Sequence, residues 1–193
     1  MTKVGVLAIQ GDVDAHARAL ARVGAEAVPV LREKDLDAID ALVLPGGEST
    51  TIAKGLVRQQ LYEPLRTFAR SGRPILGTCA GAILLAAHAE NHPVETLGVL
   101  DVTAVRNAYG TQVDSFAAPL ADAGAFALDG FRCVFIRAPQ LRSLGPEVEV
   151  LATVDDRPVL VRQGNILAAT FHPELTEDSR VHGLLLSLEP LGG

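Results

Sequence analysis

The stretch Gly77-Thr78-Cys79-Ala80-Gly81 constrains this chain more than any other. It joins an apolar run, Pro74 to Leu76, to a helical pattern, Ala82-Ile83-Leu84-Leu85-Ala86-Ala87. A strand that turns at once into a helix has room at the turn only for small residues, so the flanking glycines mark points where a side chain would strike the neighbouring strand or helix. A cysteine at the tip is held in a tight backbone conformation at a helix N-terminus, where unpaired N–H groups and the helix dipole favour the thiolate. The spacing Gly-x-Cys-x-Gly is that of a nucleophile elbow with sulfur in place of the serine oxygen. An isolated cysteine is most often a small buried hydrophobe, so Cys79 gains weight only from partners elsewhere in the chain.

Phe171-His172-Pro173-Glu174-Leu175 ends another apolar run, Ile166 to Phe171. In an extended segment residues i and i+2 share a side, so His172 and Glu174 are expected to face one site together, with Pro173 fixing the backbone between them. The carboxylate would bond one ring nitrogen and leave the other for Cys79, which is the nucleophile, base and orienter set that acyl transfer requires. A third run, Leu42-Val43-Leu44, leads into Pro45-Gly46-Gly47-Glu48 and the Ser49-Thr50 start of a helix. On its own Pro-Gly-Gly reads as a plain loop. Beside a nucleophile, adjacent glycines let a backbone N–H approach a substrate oxygen, so the N–H groups of Gly47 and Ala80 are candidates for an oxyanion hole.

Between these turns the first half alternates strand and helix. Val4 to Ile9 is a nearly continuous apolar strand, and Asp12 caps a helix with Val13, Ala17, Leu20 and Val23 on one face, ended by Gly24. Strands near Ala27 to Leu31 and Ala41 to Leu44 follow, then a helix from about Arg58 to Arg70 that stops near Gly72. Short strands fill residues 97 to 171, and a helix from Asp178 to Leu188 follows. This order predicts an α/β fold: one three-layer domain over residues 1–193, with a mostly parallel, flavodoxin-like sheet covered by helices on both faces and extra short strands in the second half. The three turns would then share the carboxyl edge of the sheet.

Composition narrows the function classes. The 193 residues are 48% apolar, enough for a sizeable core. The net charge of −6, with basic residues scattered, speaks against a nucleic-acid partner and supports solubility. The two cysteines, Cys79 and Cys133, do not make a disulfide framework; Cys133 reads as a core strand residue. No run reaches membrane-spanning length and the first apolar run is too short for a signal-peptide core, so a cytoplasmic protein is expected. His16, His88, His92 and His182 read as surface or packing residues, and no cluster has metal-site spacing, so neither metal nor cofactor is expected.

The three motifs together resemble the class I, triad-type glutamine amidotransferases. Gly5-Val6-Leu7-Ala8-Ile9-Gln10-Gly11, Leu44 to Thr51, Gly77 to Gly81, Arg106-Asn107-Ala108-Tyr109-Gly110, Val134-Phe135-Ile136-Arg137-Ala138-Pro139 and Phe171 to Asp178 narrow the likeness to the glutaminase subunits of pyridoxal 5'-phosphate synthase. The resemblance implies that Cys79, His172 and Glu174 release ammonia from L-glutamine through a glutamyl thioester and that a separate synthase subunit receives it. It further implies that Gly46, Gly47, Glu48 and Ser49 line the glutamine pocket, that Arg106 reaches the amino-acid end of the substrate, that Ile136 and Arg137 close the pocket, and that Gln10 lies beside the oxyanion hole. Two other readings stand against it. A cysteine peptidase or chaperone-like hydrolase on the same sheet is disfavoured by the Gly46 to Thr51 and Ile136-Arg137 motifs, and a subunit that has lost turnover is disfavoured by the intact Cys79, His172 and Glu174.

Overall fold

The computed structural model describes residues 1–91, 94–106, 115–122 and 127–188. His92 and the Asn107-Ala108-Tyr109-Gly110 part of the arginine motif lie outside them. The strands are β1 (Lys3–Leu7), β2 (Glu26–Val30), β3 (Ala41–Leu44), β4 (Ile75–Thr78), β5 (Ala86–Glu90), β6 (Leu100–Val105), β7 (Ser115–Pro119), β8 (Ala121–Asp122), β9 (Arg132–Ile136), β10 (Gln140–Arg142), β11 (Glu149–Val154), β12 (Arg157–Gln163) and β13 (Ile166–Ala169). The helices are α1 (Val13–Arg22), α2 (Ser49–Arg58), α3 (Tyr62–Arg70), α4 (Ala80–Leu85) and α5 (Arg180–Ser187).

The main sheet has the order β2-β1-β3-β4-β13-β12-β11-β8. Its first five strands run parallel, and β12, β11 and β8 continue it antiparallel. The parallel part has the order expected of a flavodoxin-like sheet, with β13 as its fifth strand. Inside the edge strand β2 the parallel strands are buried on both faces, β1 from Val4 onward, which is why their runs are continuously apolar. Their side chains still alternate: Leu42 and Leu44 of β3 join Ile52, Leu56, Leu65 and Phe68 of α2 and α3, whereas Val43 joins Val4 and Val6 of β1 with Phe131, Phe135, Phe171 and Val181 on the other face. Helices therefore cover both faces, as the alternation implied. Two small sheets, β10-β6-β5 and β7-β9, hold the second-half strands that do not join the main one.

Four local expectations are corrected. The helix expected from about Arg58 begins only at Tyr62, because Arg58 ends α2 and Gln60 turns into the left-handed region at φ 54. The helix after Cys79 ends at Leu85, where Ala86 takes ψ 153 and Ala86–Glu90 pairs with β6 as a strand, with His88 exposed on it. The buried face of α1 is Ala15, His16, Ala19 and Leu20 in place of Val13, Ala17, Leu20 and Val23, although Asp12 caps it as expected, accepting from Ala15 N at 3.1 Å. Finally, Pro173–Leu175 is a turn of 3₁₀ helix where an extended segment was expected. Cys133 is fully buried in β9, and burial pushes its thiol up to about 12, as suits an inert core residue.

Candidate active site

Three neighbouring strands, β3, β4 and β13, deliver the three motif turns to one edge. After β4, Cys79 sits at φ 47 and ψ −103, a conformation rarely open to a side chain, and its N–H is tied to Ala169 O of β13 at 2.8 Å. Non-glycine residues held so carry about 1–3 kcal/mol of strain and concentrate at functional sites. The flanking glycines have the steric cause expected of them. A Cβ on Gly81 would run into the carbonyl of Leu44, and one on Gly77 would lie 2.7 Å from the backbone of Gly81.

After β3, Gly46 is wedged between the other two turns: a Cβ there would collide with the His172 ring and lie 3.3 Å from Cys79 Cβ. Gly47 follows at φ 151 with Gln10 packed against it, so that Gln10 Oε1 accepts the Glu48 N–H at 2.8 Å. Gln10 thus supports the Gly47 turn from the end of β1.

After β13, His172 Nδ1 and Glu174 Oε1 are 2.7 Å apart. The 3₁₀ turn brings the two side chains together as effectively as the extended segment would have. Burial alone would push His172 down, but its interactions with the Cys79 and Glu174 side chains outweigh that and raise it, which favours an imidazolium beside the sulfur. Burial would push Glu174 up; the His172 hydrogen bond and the nearness of His16 outweigh it and hold the carboxyl below its ordinary value.

A cleft of about 610 Å³ opens in front of this edge, within the range of small-molecule sites. Gly47, Glu48, Ser49, Cys79, Ala80, Arg106, Ile136, Arg137 and His172 line it, together with Thr50 and Ile83, which the sequence did not single out. Gly46, Gln10 and Glu174 stand behind the lining. Glu48 caps α2, accepting from Thr50 N at 3.3 Å and from its hydroxyl at 3.0 Å, and pairs with Arg106 Nη2 at 3.1 Å. The Thr50 bonds first, then Arg106 and Arg137, hold Glu48 well below the usual carboxylate range. One wall thus presents a fixed carboxylate and two guanidinium groups, the complement of a zwitterionic amino-acid head. The Cys79 thiol reaches Ile136 O at 3.7 Å, and Arg137 next to it sits at φ 46, a second strained residue in the cleft wall. Among the described residues, no group of three or more histidines, cysteines and acids is placed to hold a metal ion, and no helix is long and apolar enough to cross a membrane.

The sequence reading missed the residues behind Glu174. His16 of α1 and His182 of α5 are both fully buried, with His16 Nε2 at 3.5 Å from Glu174 Oε2 and at 3.3 Å from Thr78 Oγ1, and His16 Nδ1 at 3.0 Å from His182 Nε2. The available signal was periodicity: His16 lies four residues before the core residue Leu20, and His182 three before Leu185. Burial is the main cause lowering His16, partly offset by Glu174, and burial with His16 and Arg22 pushes His182 down to about 3.

A pH dependence of stability follows. Both rings stay neutral when folded, while the unfolded chain takes up protons at them below about 6.5, so the unfolded state binds more protons and stability falls as pH falls. Between pH 7 and 5 the His182 ring is expected to remove roughly 2 kcal/mol of unfolding free energy, and the lowered His16 acts in the same direction. The raised His172 acts in the opposite sense, chiefly above 6.5. Urea titrations at the two pH values check this: equal stability would mean that the rings are not held neutral.

A profile described as the SNO glutamine amidotransferase family matches residues 6–188. The "Pyridoxal 5'-phosphate synthase subunit PdxT" of Thermotoga sp. (strain RQ2) is 50% identical over 186 residues, covering 96% of this chain and 98% of its own. The protein of the same name from Geobacillus thermodenitrificans (strain NG80-2) is also 50% identical over 186 residues, covering 96% and 94%. A crystal structure described as a glutamine amidotransferase superposes with a TM-score of 0.90 at 49% identity, over 96% of this chain and 97% of that one.

Proposed function

Since the chain belongs to the SNO glutamine amidotransferase family, we propose that it is the glutaminase subunit of a pyridoxal 5'-phosphate synthase, hydrolysing L-glutamine to L-glutamate and ammonia for a separate synthase subunit. The observation that carries the chemical part is the convergence of Cys79, His172 and Glu174 at the ends of β4 and β13, in front of a cleft walled by Glu48, Arg106 and Arg137. The name shared by the Thermotoga and Geobacillus relatives supports the synthase partner.

In this reading Glu48 and Arg106, with Ser49, Ile136 and Arg137 around them, grip the amino-acid head of glutamine and leave its amide over Cys79. The thiolate attacks the amide carbon, and the N–H groups of Gly47 and Ala80 hold the oxyanion while Gln10 fixes the Gly47 turn. His172 gives its proton to the departing ammonia, then activates water to hydrolyse the thioester, and Glu174 keeps the ring oriented throughout. Gly46 serves by its absence of a side chain, leaving room for His172. The protein acts in the cytoplasm as one domain, without a cofactor or a nucleic-acid partner.

The test is glutamate release from glutamine by the purified chain, alone and with its synthase subunit. The isolated chain is expected to turn over slowly: in this reading the Gly46-Gly47 peptide turns one N–H away from the hole until the partner packs near Gln10 and the Gly47 turn. Restoring one oxyanion donor is worth roughly 10²- to 10³-fold in turnover, so the partner should raise kcat by about that order rather than merely lower KM. No glutamate under either condition would refute the assignment; full activity of the chain alone would refute only the gating.

A further inference from the structure

Glu174 is the orienting carboxylate of the proposed site, yet only one of its oxygens is accounted for. Oε1 takes the His172 Nδ1–H, while Oε2 is buried without a hydrogen-bond partner among the described residues and faces His16 Nε2 at 3.5 Å. We propose that His16 and His182 are positioning residues of the active site: both rings carry their proton on Nε2, so that His182 donates to His16, His16 points its N–H at Glu174, and Glu174 is locked to accept from His172. The proposal rests on the glutaminase reading for the role of Glu174, and on the contacts of the two rings for the rest.

The proton positions follow from counting donors. A neutral imidazole has one N–H and one lone pair. If His16 carries its proton on Nε2, that N–H is shared between Glu174 Oε2 and Thr78 Oγ1, both acceptors, and Nδ1 becomes a lone pair that must receive a proton from His182 Nε2 at 3.0 Å. The nitrogen left over is His182 Nδ1, a lone pair, and it is the ring atom of the cluster found buried without a partner. In the opposite arrangement His16 Nδ1–H donates to His182 Nε2. His182 Nδ1 would then be a buried N–H with no acceptor, and the His16 Nε2 lone pair, although it could accept from the Thr78 hydroxyl, would face a carboxylate. An unmade buried donor costs about 1–3 kcal/mol, and the second contact repels as well, so the first arrangement holds.

The environment keeps both rings in this state. The charged and titratable groups bearing on His16 are Glu174 and His172 from the 3₁₀ turn, His182 from α5 and Asp12 from its own helix cap; those bearing on His182 are His16, Glu174 and Arg22. Burial dominates for both and keeps them neutral. A neutral chain with one direction has a use here. It presents hydrogen-bond donor density to Oε2 without adding a mobile proton that Glu174 could take up, so the carboxylate stays an acceptor and His172 keeps Nδ1 protonated and Nε2 toward the sulfur.

The experiment compares His16→Phe with His16→Gln, assayed for glutamate release from L-glutamine in the complex with the synthase subunit. Phenylalanine removes the N–H and leaves Oε2 against an apolar ring; the glutamine amide reaches about as far as imidazole Nε2 and can replace the donor. His16→Phe is expected to lower kcat about 10- to 100-fold, the usual effect of removing an outer orienting partner, with KM changed by less than about twofold. The acid limb of its pH profile should move to higher pH, since Glu174 is easier to protonate without the donor. His16→Gln should recover most of both. A folded His16→Phe protein with the wild-type kcat and acid limb overturns the proposal. Should neither variant fold, the decision falls to ¹⁵N-histidine spectra of the wild-type protein at neutral pH: Nε2–H tautomers at His16 and His182 are expected, and an Nδ1–H tautomer or a charged ring at either overturns it. If Cys79→Ser retained glutaminase activity the wider reading would fail instead, and the spectra would still report whether the proton chain exists.

Discussion

Replacement of Cys79 by serine is expected to abolish glutamate release, with a loss of about 10³-fold or more in kcat, while the fold and glutamine binding survive. The two side chains are nearly isosteric, so a serine meets the same left-handed backbone at φ 47 and the same surroundings in the turn between Gly77 and Gly81. What changes is the attacking atom: a hydroxyl is far less ionised than a thiol near neutral pH, and the raised His172 beside it owes part of its shift to the Cys79 side chain. Loss of a covalent catalyst in a triad costs several orders of magnitude, the remainder coming from binding and the oxyanion hole. Glutamate release at about a tenth of the wild-type rate would remove Cys79 from the role of nucleophile; unchanged binding of glutamine by calorimetry would separate lost chemistry from lost fold.

The second large effect is expected at His172. Asparagine there should be nearly as damaging as the loss of the sulfur, whereas Glu174→Gln should cost less, because the amide still occupies the place of the carboxylate. The lesser variant is not harmless. An amide must offer either its oxygen or its NH₂ to each neighbour, and both His172 Nδ1 and His16 Nε2 present a donor in the proposed arrangement, so one contact becomes donor against donor. Alkylation of Cys79 by iodoacetamide should slow in both variants, since the thiolate loses its paired cation. If His172→Asn left the alkylation rate unchanged, the two residues would not be a pair.

The parts of this architecture that could be read from the sequence are those where local chemistry and the fold agree. The inner parallel strands are continuous apolar runs, the turns after β3 and β4 carry the glycines that their close contacts demand, and the turn after β13 carries the His-Pro-Glu spacing, so Gly46, Gly47, Gly77, Cys79, Gly81 and His172 could be found without coordinates. The rest was decided at longer range. Ala82 to Ala87 are all acceptable in a helix, and only the parallel pairing of Ala86 with Leu100 ends α4 at Leu85. His172-Pro173-Glu174 satisfies an extended segment and a 3₁₀ turn equally well, and the 2.7 Å contact is reached through the second. His16 and His182 were taken for ordinary helix residues because their meaning lies in each other. They belong to the first and last helices, and meet only because α1 and α5 pack together against the sheet.

The order in which the sheet can be completed bears on when the protein becomes reactive. β13 is the fifth parallel strand by position and the last strand by sequence, and it enters between β4 and β12, already made earlier in the chain. A ribosome therefore releases Cys79 long before it releases β13 and the His172 and Glu174 that follow it, and the helix bearing His182 comes later still. Until β13 slots in, β4 has an open edge, the Cys79 N–H lacks the Ala169 carbonyl that pins the turn, and Cys79 lacks the neighbouring His172. Such non-local insertion is slow compared with the closing of neighbouring segments. In the proposed reading a nascent or truncated chain is thus expected to be chemically silent, reactivity arriving only with the finished sheet.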